Sequence, residues 1–196
     1  TSIYEDLEFV EDIIRHNQDV IVIVDEAYID FAGESALSLL DKYDNLIITQ
    51  TFSKARSMAG MRIGYAIASP LLIKYLNDAK YSFNSYTMNK TSLVYGVEAV
   101  KDKEYFAETT RKIVETRDWA EEEFKKLGFV FPKPSANFIF VSHPEYDAKE
   151  LFEAMKAKGI YVRFWGSERI EQYLRVTIGT REEMEALFAF LREYMM

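Results

Sequence analysis

Helical periodicities and short apolar runs alternate over the first hundred residues. Apolar side chains recur at helical spacing over residues 3–16 and predict a helix, for which Ser2 and Glu5 have the spacing of a capping box. Such a helix is followed by uninterrupted apolar runs, which are typical of strands covered on both faces, as in parallel sheets. These runs predict strands at residues 20–25, 45–51 and 62–69, and helices are predicted at residues 71–78 and 88–100.

Beyond residue 100 the pattern becomes one long periodic segment. Residues 102–127 predict a helix that stops at Gly128, because glycine readily adopts the left-handed conformation that ends a helix. We therefore place a domain boundary near residue 100, which divides the chain into domains 1–100 and 101–196. The long helix is a candidate hinge between them.

Short alternating units fill the rest of the chain. Strands are predicted at residues 138–141, 160–163 and 173–178, and a helix capped by Asp147 is predicted to stop at Gly159. Thr180 and Glu183 have capping-box spacing and predict a final helix. The side chains of this helix that are expected to face inward are Met184, Leu187, Phe188 and Leu191.

Composition and charge narrow the classes of function. The chain is 48% hydrophobic and 15% aromatic, as expected of a globular core, but no apolar run reaches the ~18 residues of a membrane-spanning helix. Its 24 Lys and Arg against 32 Asp and Glu leave a net charge of −8, which argues against nucleic acid or an anionic membrane as partners. The absence of cysteine excludes disulfides and thiolate metal sites, and the two histidines lack ligand spacing, so no metal site is expected.

The first chemical motif is V-I-V-I-V-D-E-A-Y at residues 20–28. An apolar strand that ends in Asp-Glu also describes the magnesium-binding strand of P-loop ATPases, so by itself this motif supports two unrelated functions. The ATPase reading requires the phosphate-binding pattern G-x-x-x-x-G-K-[ST], and these residues do not contain it.

The second motif is T-F-S-K-A-R-S-M-A-G-M-R at residues 51–62, directly after another apolar strand. A lysine at the carboxyl end of a buried strand can be desolvated enough to act as an amine nucleophile. In open α/β sheets ligands collect at the carboxyl ends of strands, so Asp25 and Lys54 are expected to face the same crevice. An acid, a reactive lysine, hydroxyls and an arginine are the groups needed to hold pyridoxal phosphate.

With these residues the chain resembles the fold-type-I pyridoxal-phosphate-dependent aminotransferases, and among them the histidinol-phosphate aminotransferase family. The matching stretches are D-E-A-Y, S-K-A, A-G-M-R-I-G-Y, G-I-Y-V-R and Y-L-R-V-T-I-G-T-R-E-E-M. The resemblance spans nearly the whole chain but only the C-terminal half of such an enzyme. The family's glycine-rich phosphate cup, its ring-stacking aromatic residue and its Asn-Pro-x-x-Pro-Thr-Gly stretch have no counterpart, and Thr1 is a candidate remnant of that last stretch.

The resemblance implies an α/β fold: the C-terminal part of the large domain, a mostly parallel sheet with helices, followed by a small α/β domain. It implies transamination between histidinol phosphate and 2-oxoglutarate in histidine biosynthesis, by a cytoplasmic homodimer that uses pyridoxal 5'-phosphate and small amino-acid or phosphorylated substrates. This chain by itself is expected to be inactive. The alternatives are an enzyme similar to threonine-phosphate decarboxylase and a non-catalytic aminotransferase-like module.

The resemblance also implies a role for each motif residue. Asp25 would pair with the pyridine nitrogen of the cofactor, and Tyr28 would bond its ring oxygen. Lys54 would bind the cofactor covalently and act as the catalytic proton carrier. The implied phosphate ligands are Ser53, Arg62 and, in a supporting role, Thr51, and the implied ligands of the substrate's anionic groups are Arg163 and Arg175.

Three stretches depart from the family pattern. Arg56 stands where an aromatic residue is usual, K-Y-S-F-N-S stands where Pro-Tyr-Asn is usual, and P-S-A-N-F is one residue shorter than its counterpart. Trp119 and Trp165 are expected to be aromatic residues of the core or its rim. The departures bear on the substrate rather than on the lysine or the acid.

Overall fold

The computed structural model describes residues 2–196, which form two compact units. One unit is Glu5–Thr109, and the other is Thr110–Met196 together with residues 2–4. The units divide between Thr109 and Thr110, whereas the sequence placed the boundary near residue 100. Thr1, the candidate remnant of an upstream motif, lies outside the described residues. Within residues 2–196 no helix is both long and apolar enough to cross a bilayer.

A three-stranded sheet of order β1-β2-β3 forms the centre of the Glu5–Thr109 unit. The central strand β2 pairs in parallel with β1 and antiparallel with β3, and the first three residues of β2 are buried. The β1 strand alternates between half-buried and exposed positions, so it is not covered on both faces as its apolar run suggested. The strands are β1 (Val22–Asp25), β2 (Leu46–Thr51) and β3 (Gly64–Ala68).

Helices α1 (Leu7–Arg15), α2 (Pro70–Phe83) and α3 (Lys90–Lys101) belong to the same unit. The predicted capping box of Ser2 and Glu5 is wrong, because Ser2 lies in a left-handed conformation (φ 62°) and its carbonyl accepts a hydrogen bond from Ser135. Asp6 caps α1 instead, accepting from the amide of Phe9 at 2.8 Å. Ile14 of α1 is fully buried against the sheet core.

Helix α4 (Lys103–Lys126) crosses the division between the units. It ends before Gly128, whose φ of +81° is the left-handed stop that the sequence predicted. The unit after Thr110 contains an antiparallel sheet of order β4-β6-β5 with two helices. Its elements are β4 (Phe138–Val141), α5 (Ala148–Ala157), β5 (Arg163–Phe164), β6 (Leu174–Thr177) and α6 (Arg181–Tyr194).

The core of this unit is aromatic and aliphatic. Phe124 of α4 and Phe188 of α6 are both fully buried and meet edge to face, with ring centroids 4.7 Å apart. All four inward-facing residues predicted for α6 are buried, and both hydrogen bonds of the Thr180–Glu183 capping box are present. The predicted strand at residues 160–163 is displaced, since only Arg163 and Phe164 pair with β6.

Candidate active site

The residues of both chemical motifs meet at one edge of the first sheet. Because β1 and β2 are parallel and in register from Val22 to Asp25, their carboxyl ends lie side by side, with Asp25 opposite Thr49. The antiparallel β3 starts at this edge, where Gly64 pairs with Thr51. The loop between β2 and β3, which carries Lys54, therefore leaves and re-enters the sheet beside Asp25.

Lys54 lies against Tyr28 at this edge. Its Nζ atom is 5.1 Å from the centroid of the Tyr28 ring, and both side chains are half-buried. Within the described part of the chain, no carboxylate forms an ion pair with Lys54. A half-buried amine that rests on an aromatic face and has no acidic partner is available to react with a bound carbonyl compound.

Two hydroxyls and a guanidinium flank the lysine. Thr51 Oγ1 lies 2.9 Å from Ser53 Oγ and 3.2 Å from the carbonyl oxygen of Ile63, and it accepts a hydrogen bond from the amide of Ser53 at 3.1 Å. Arg62 is exposed and donates one bond, at 2.8 Å, to the carbonyl of Ala59. Its other donors have no acceptor among the described contacts, so they are free to bind an anion.

The loop between β2 and β3 has a strained backbone. Ser57 and Arg62 both have φ of 55°, a left-handed conformation that costs a residue with a side chain about 1–2 kcal/mol. The loop is closed by hydrogen bonds from the amide of Phe52 to Ile63 and from the amide of Met58 to Phe52, both 3.0 Å long. Local strain held by surrounding contacts is concentrated at functional sites in proteins.

Glu26, next to Asp25, is a buried carboxylate to which the sequence motifs assign no role. Its two oxygens accept hydrogen bonds from the Ser35 hydroxyl (2.7 Å), the Ala36 amide (2.7 Å) and the Gln50 side chain (2.8 Å). Gln50 in turn accepts from the hydroxyl of Tyr65 on β3. Burial, with a smaller contribution from the Asp30 carboxylate, raises the pKa of Tyr65, which keeps this hydroxyl a donor. The network thus ties together the ends of all three strands.

Asp25 itself is exposed, and its Oδ1 accepts a hydrogen bond from the amide of Ala27 at 3.0 Å, which orients the carboxylate. No cation forms an ion pair with Asp25 among the described residues. Nor do three His, Cys, Asp or Glu side chains converge there, or elsewhere in residues 2–196, as ligands for a metal ion.

Arg56 connects the loop between β2 and β3, which carries Lys54, to the helices α3 and α4. Its Nη1 donates at 2.7 Å to the carbonyl of Ala99 near the end of α3, and its guanidinium lies 4.2 Å from the ring centroid of Phe106 and 5.2 Å from that of Phe52. The sequence marked this residue as a departure from the family pattern but could not reveal the helix end, 43 positions away, that it binds. A mainly apolar cleft of about 680 Å³ opens beside it.

The two substrate-binding candidates lie in the other compact unit. Arg163 and Arg175 are opposite each other on β5 and β6. The structure therefore brings this pair together and, separately, places Lys54 and five other candidates at one edge of the first sheet. These five candidates are Asp25, Tyr28, Thr51, Ser53 and Arg62.

The fold and the edge cluster define a class of α/β protein in which a lysine at the end of a sheet strand is surrounded by an acid, a phenol, hydroxyls and a guanidinium. Residues 3–191 match the family described as aminotransferase class I and II. The chain belongs to that family.

The curated proteins compared with this chain below are histidinol-phosphate aminotransferases. The enzyme of Brachyspira hyodysenteriae is 50% identical over 186 residues, which is 94% of this chain and 52% of that protein. The enzyme of Clostridium botulinum is 47% identical over 185 residues, again 94% and 52%. The chain thus spans about half the length of the curated relatives it matches.

Solved structures of histidinol-phosphate aminotransferases superpose on the whole of this chain. The Sinorhizobium meliloti histidinol-phosphate aminotransferase in complex with pyridoxal-5'-phosphate superposes on 100% of this chain and 54% of its own, with a TM-score of 0.87 and 27% identity. The Clostridium acetobutylicum enzyme superposes with a TM-score of 0.89 at 22% identity, covering 100% of this chain and 60% of its own. The latter similarity concerns the fold, and together they confirm the predicted α/β class.

Proposed function

We propose that this chain supplies the lysine-bearing part of a pyridoxal-phosphate-dependent aminotransferase whose substrates are histidinol phosphate and 2-oxoglutarate. The observation that carries the proposal is the half-buried Lys54, which lies against Tyr28 without an acidic partner among the described residues. The names of the similar relatives and the cofactor of the Sinorhizobium meliloti structure support the choice of reaction and cofactor. We also propose that residues 1–100 are part of the cofactor-binding domain and residues 101–196 the small domain.

The residues at the sheet edge fit the chemistry of the cofactor. Pyridoxal phosphate needs a carboxylate for its ring nitrogen, an amine for its aldehyde and donors for its phosphate. The oriented Asp25 carboxylate provides the first and Lys54 the second. The clustered hydroxyls of Thr51 and Ser53 and the unused donors of Arg62 provide the third.

When bound, the cofactor supplies an electron sink for the substrate's α-carbon. The Asp25 carboxylate holds the proton on the ring nitrogen, because an adjacent anion favours the cationic form. Tyr28 donates to the ring oxygen and supports the lysine side chain. Lys54 Nζ takes the proton from the substrate carbon and returns it as general base and then general acid, a role for which a half-buried amine without a competing carboxylate is suited.

The arginine pair on β5 and β6 would bind the anionic groups of the substrates. Arg163 and Arg175 present two cations on one face of the sheet, where the carboxylates of glutamate and the phosphate of histidinol phosphate bind in alternate half-reactions. We also propose that the enzyme acts in the cytoplasm as a homodimer, as the family resemblance implies.

The decarboxylase alternative has weaker support. A decarboxylase from Sulfurospirillum multivorans has a similar fold, with a TM-score of 0.84, but only 24% identity. The aminotransferase relatives are twice as similar in sequence, at 47–50%. A non-catalytic module is disfavoured because the acid, the lysine and the strained loop would have no function without the cofactor.

Peptide mapping of the reduced holoenzyme tests the function directly. The full-length protein, loaded with pyridoxal phosphate, should absorb near ~420 nm, and reduction with borohydride should leave the cofactor attached to Lys54. Lys54→Ala should lose both the absorbance and the label. The matched control is Lys74→Ala, since Lys74 lies on the surface of the same unit, paired with Asp78. Attachment of the label to any lysine other than Lys54 would contradict the proposal.

A further inference from the structure

The Trp165 ring contacts two guanidinium groups whose residues pair across neighbouring strands. Arg163 of β5 is in register with Arg175 of β6, so the two side chains share one face of the sheet. Trp165 is two positions after Arg163 and lies on that face too, because side chains alternate along an extended chain. The Cζ atom of Arg163 is 5.4 Å from the Trp165 ring and that of Arg175 is 5.5 Å from it.

The two arginines lack the partners that usually offset such a pair. Like charges directly opposite each other destabilise a strand pair, and neither arginine forms an ion pair among the described residues. Arg175 is also short of a hydrogen-bond acceptor, since its Nε atom is buried with no partner. A buried donor without an acceptor costs free energy, and the cost is relieved when a ligand supplies one.

Aromatic faces take the place of carboxylates around Arg175. Its guanidinium also lies 5.2 Å from the Phe138 ring, so it is held between Phe138 and Trp165. Phe140, opposite Arg175 on β4, stacks on Tyr173 at 4.6 Å and approaches Trp165 at 6.3 Å. Attraction between a cation and an aromatic face orients a guanidinium without using its N–H groups, which stay free for an anion.

A second tryptophan in the same unit shows the contrasting arrangement. The guanidinium of Arg181 lies 3.5 Å from the Trp119 ring, but Arg181 also donates to Glu185 at 3.0 Å. That arginine already has its anion within the protein. Arg163 and Arg175 have the same aromatic support from Trp165, but no carboxylate of the described residues bonds either of them.

We propose that Trp165 is a positioning residue that holds Arg163 and Arg175 together and aims the Nε edge of Arg175 at a carboxylate of the substrate. This inference rests on the proposed function for its choice of ligand. The indole ring of Trp165 acts only through the two arginines and takes no part in the chemistry at Lys54. Removing the ring would let the like-charged side chains separate and would misalign the fork that binds the carboxylate.

Glutarate, a dicarboxylate that cannot be transaminated, is the probe. It is titrated into the full-length protein at constant ionic strength, because non-specific attraction to exposed charge is screened by salt. Binding is followed by tryptophan fluorescence and by the NMR signal of the Arg175 Nε–H group, which is assigned with Arg175→Lys. Wild type should show saturable binding and a shift of that signal, since glutarate supplies the missing acceptor.

Trp165→Leu should weaken glutarate binding by about 5- to 30-fold, as expected for the loss of two cation–π contacts, while Trp165→Phe restores part of it. Trp119→Leu is the matched control and should bind as wild type does. Unchanged binding by Trp165→Leu, or an equal loss in Trp119→Leu, would overturn the inference. Absence of binding by wild type would also overturn it, without bearing on the borohydride test of Lys54.

Discussion

Glu123 shows at the scale of a single residue how this protein uses a buried charge. Its side chain is 9% exposed, and its carboxylate accepts hydrogen bonds from Lys126, at 2.6 Å, and from Arg192 of α6. The hydrogen bond from Lys126 and then that from Arg192 hold the pKa of Glu123 below its ordinary value of 4.5. The contact fastens α4 to the last turn of α6.

Glu123→Gln should therefore lower the free energy of unfolding by about 1–3 kcal/mol at neutral pH, because two cations lose a buried partner. A lowered folded-state pKa contributes stability that is present above about pH 4.5 and is lost as the pH falls through the lower folded value. The difference between wild type and variant should thus shrink below pH 4.5. Urea denaturation across the pH range measures it.

Glu122→Gln is the control for this prediction. Glu122 pairs with Lys125 at 2.8 Å, but both side chains are more than half exposed. Exposed pairs contribute little, so this variant should change stability by less than ~0.5 kcal/mol. Equal losses in the two variants would show that burial of Glu123 has no special importance.

The residues of the candidate site differ in how far the sequence identified them. Asp25 and Lys54 were identified because they lie at or just after the ends of predicted strands. Arg62 was identified because its motif resembles that of the family. Their roles stay predictions. The contacts of Glu26 and Arg56 became visible only in the structure. Glu26 binds the amide of Ala36, ten positions later, and Arg56 binds the carbonyl of Ala99, 43 positions later.

At the scale of elements, the boundaries of α6 follow from local chemistry. The Thr180 hydroxyl accepts a hydrogen bond from the amide of Glu183, and the Glu183 carboxylate accepts one from the amide of Thr180. Four apolar residues at helical spacing then bury one face of the helix. The same signals were readable in the sequence because they involve only neighbours within one or two turns.

Thr180→Ala should destabilise the protein by about 1 kcal/mol, within a range of 0.5–2, because the amide of Glu183 loses its acceptor. Thr180→Ser keeps the hydroxyl and should stay close to wild type. Thermal unfolding followed by circular dichroism compares the three proteins. If serine were as destabilising as alanine, the hydroxyl would not be the stabilising group.

At the scale of the whole molecule, the sheet of the Glu5–Thr109 unit exposes much apolar surface. Strand β1 pairs only with β2 among the described strands, and Ile21 and Ile23 are 54% and 62% exposed. An edge strand with exposed apolar side chains is a template for association with other chains. The chain also spans only about half the length of the curated relatives it matches.

We therefore expect the 196-residue chain alone to show no transaminase turnover and to form dimers or larger assemblies. Ile23→Lys should reduce association, because a charge on an exposed strand opposes pairing between copies. Val130→Lys, at a site 57% exposed in the other unit, is the matched control. Light scattering and a turnover assay test both points, and a monomer with full turnover would contradict the expectation.

The sequence by itself determined the features that depend on nearby residues. The left-handed stop at Gly128, the capping box of α6 and the sheet-edge positions of Asp25 and Lys54 all follow from local sterics, hydrogen bonding and periodicity. The family was also recognisable, because its motifs are contiguous stretches.

Only the tertiary structure decided which distant residues meet. It placed β3 antiparallel to β2, ended the pairing of β5 after two residues, and replaced Ser2 with Asp6 as the cap of α1. It also brought Trp165 into contact with two arginines that no pattern had linked to it. Strand pairing and side-chain clusters depend on contacts between residues far apart in the chain, and the free energy of those contacts is not encoded in any short window of sequence.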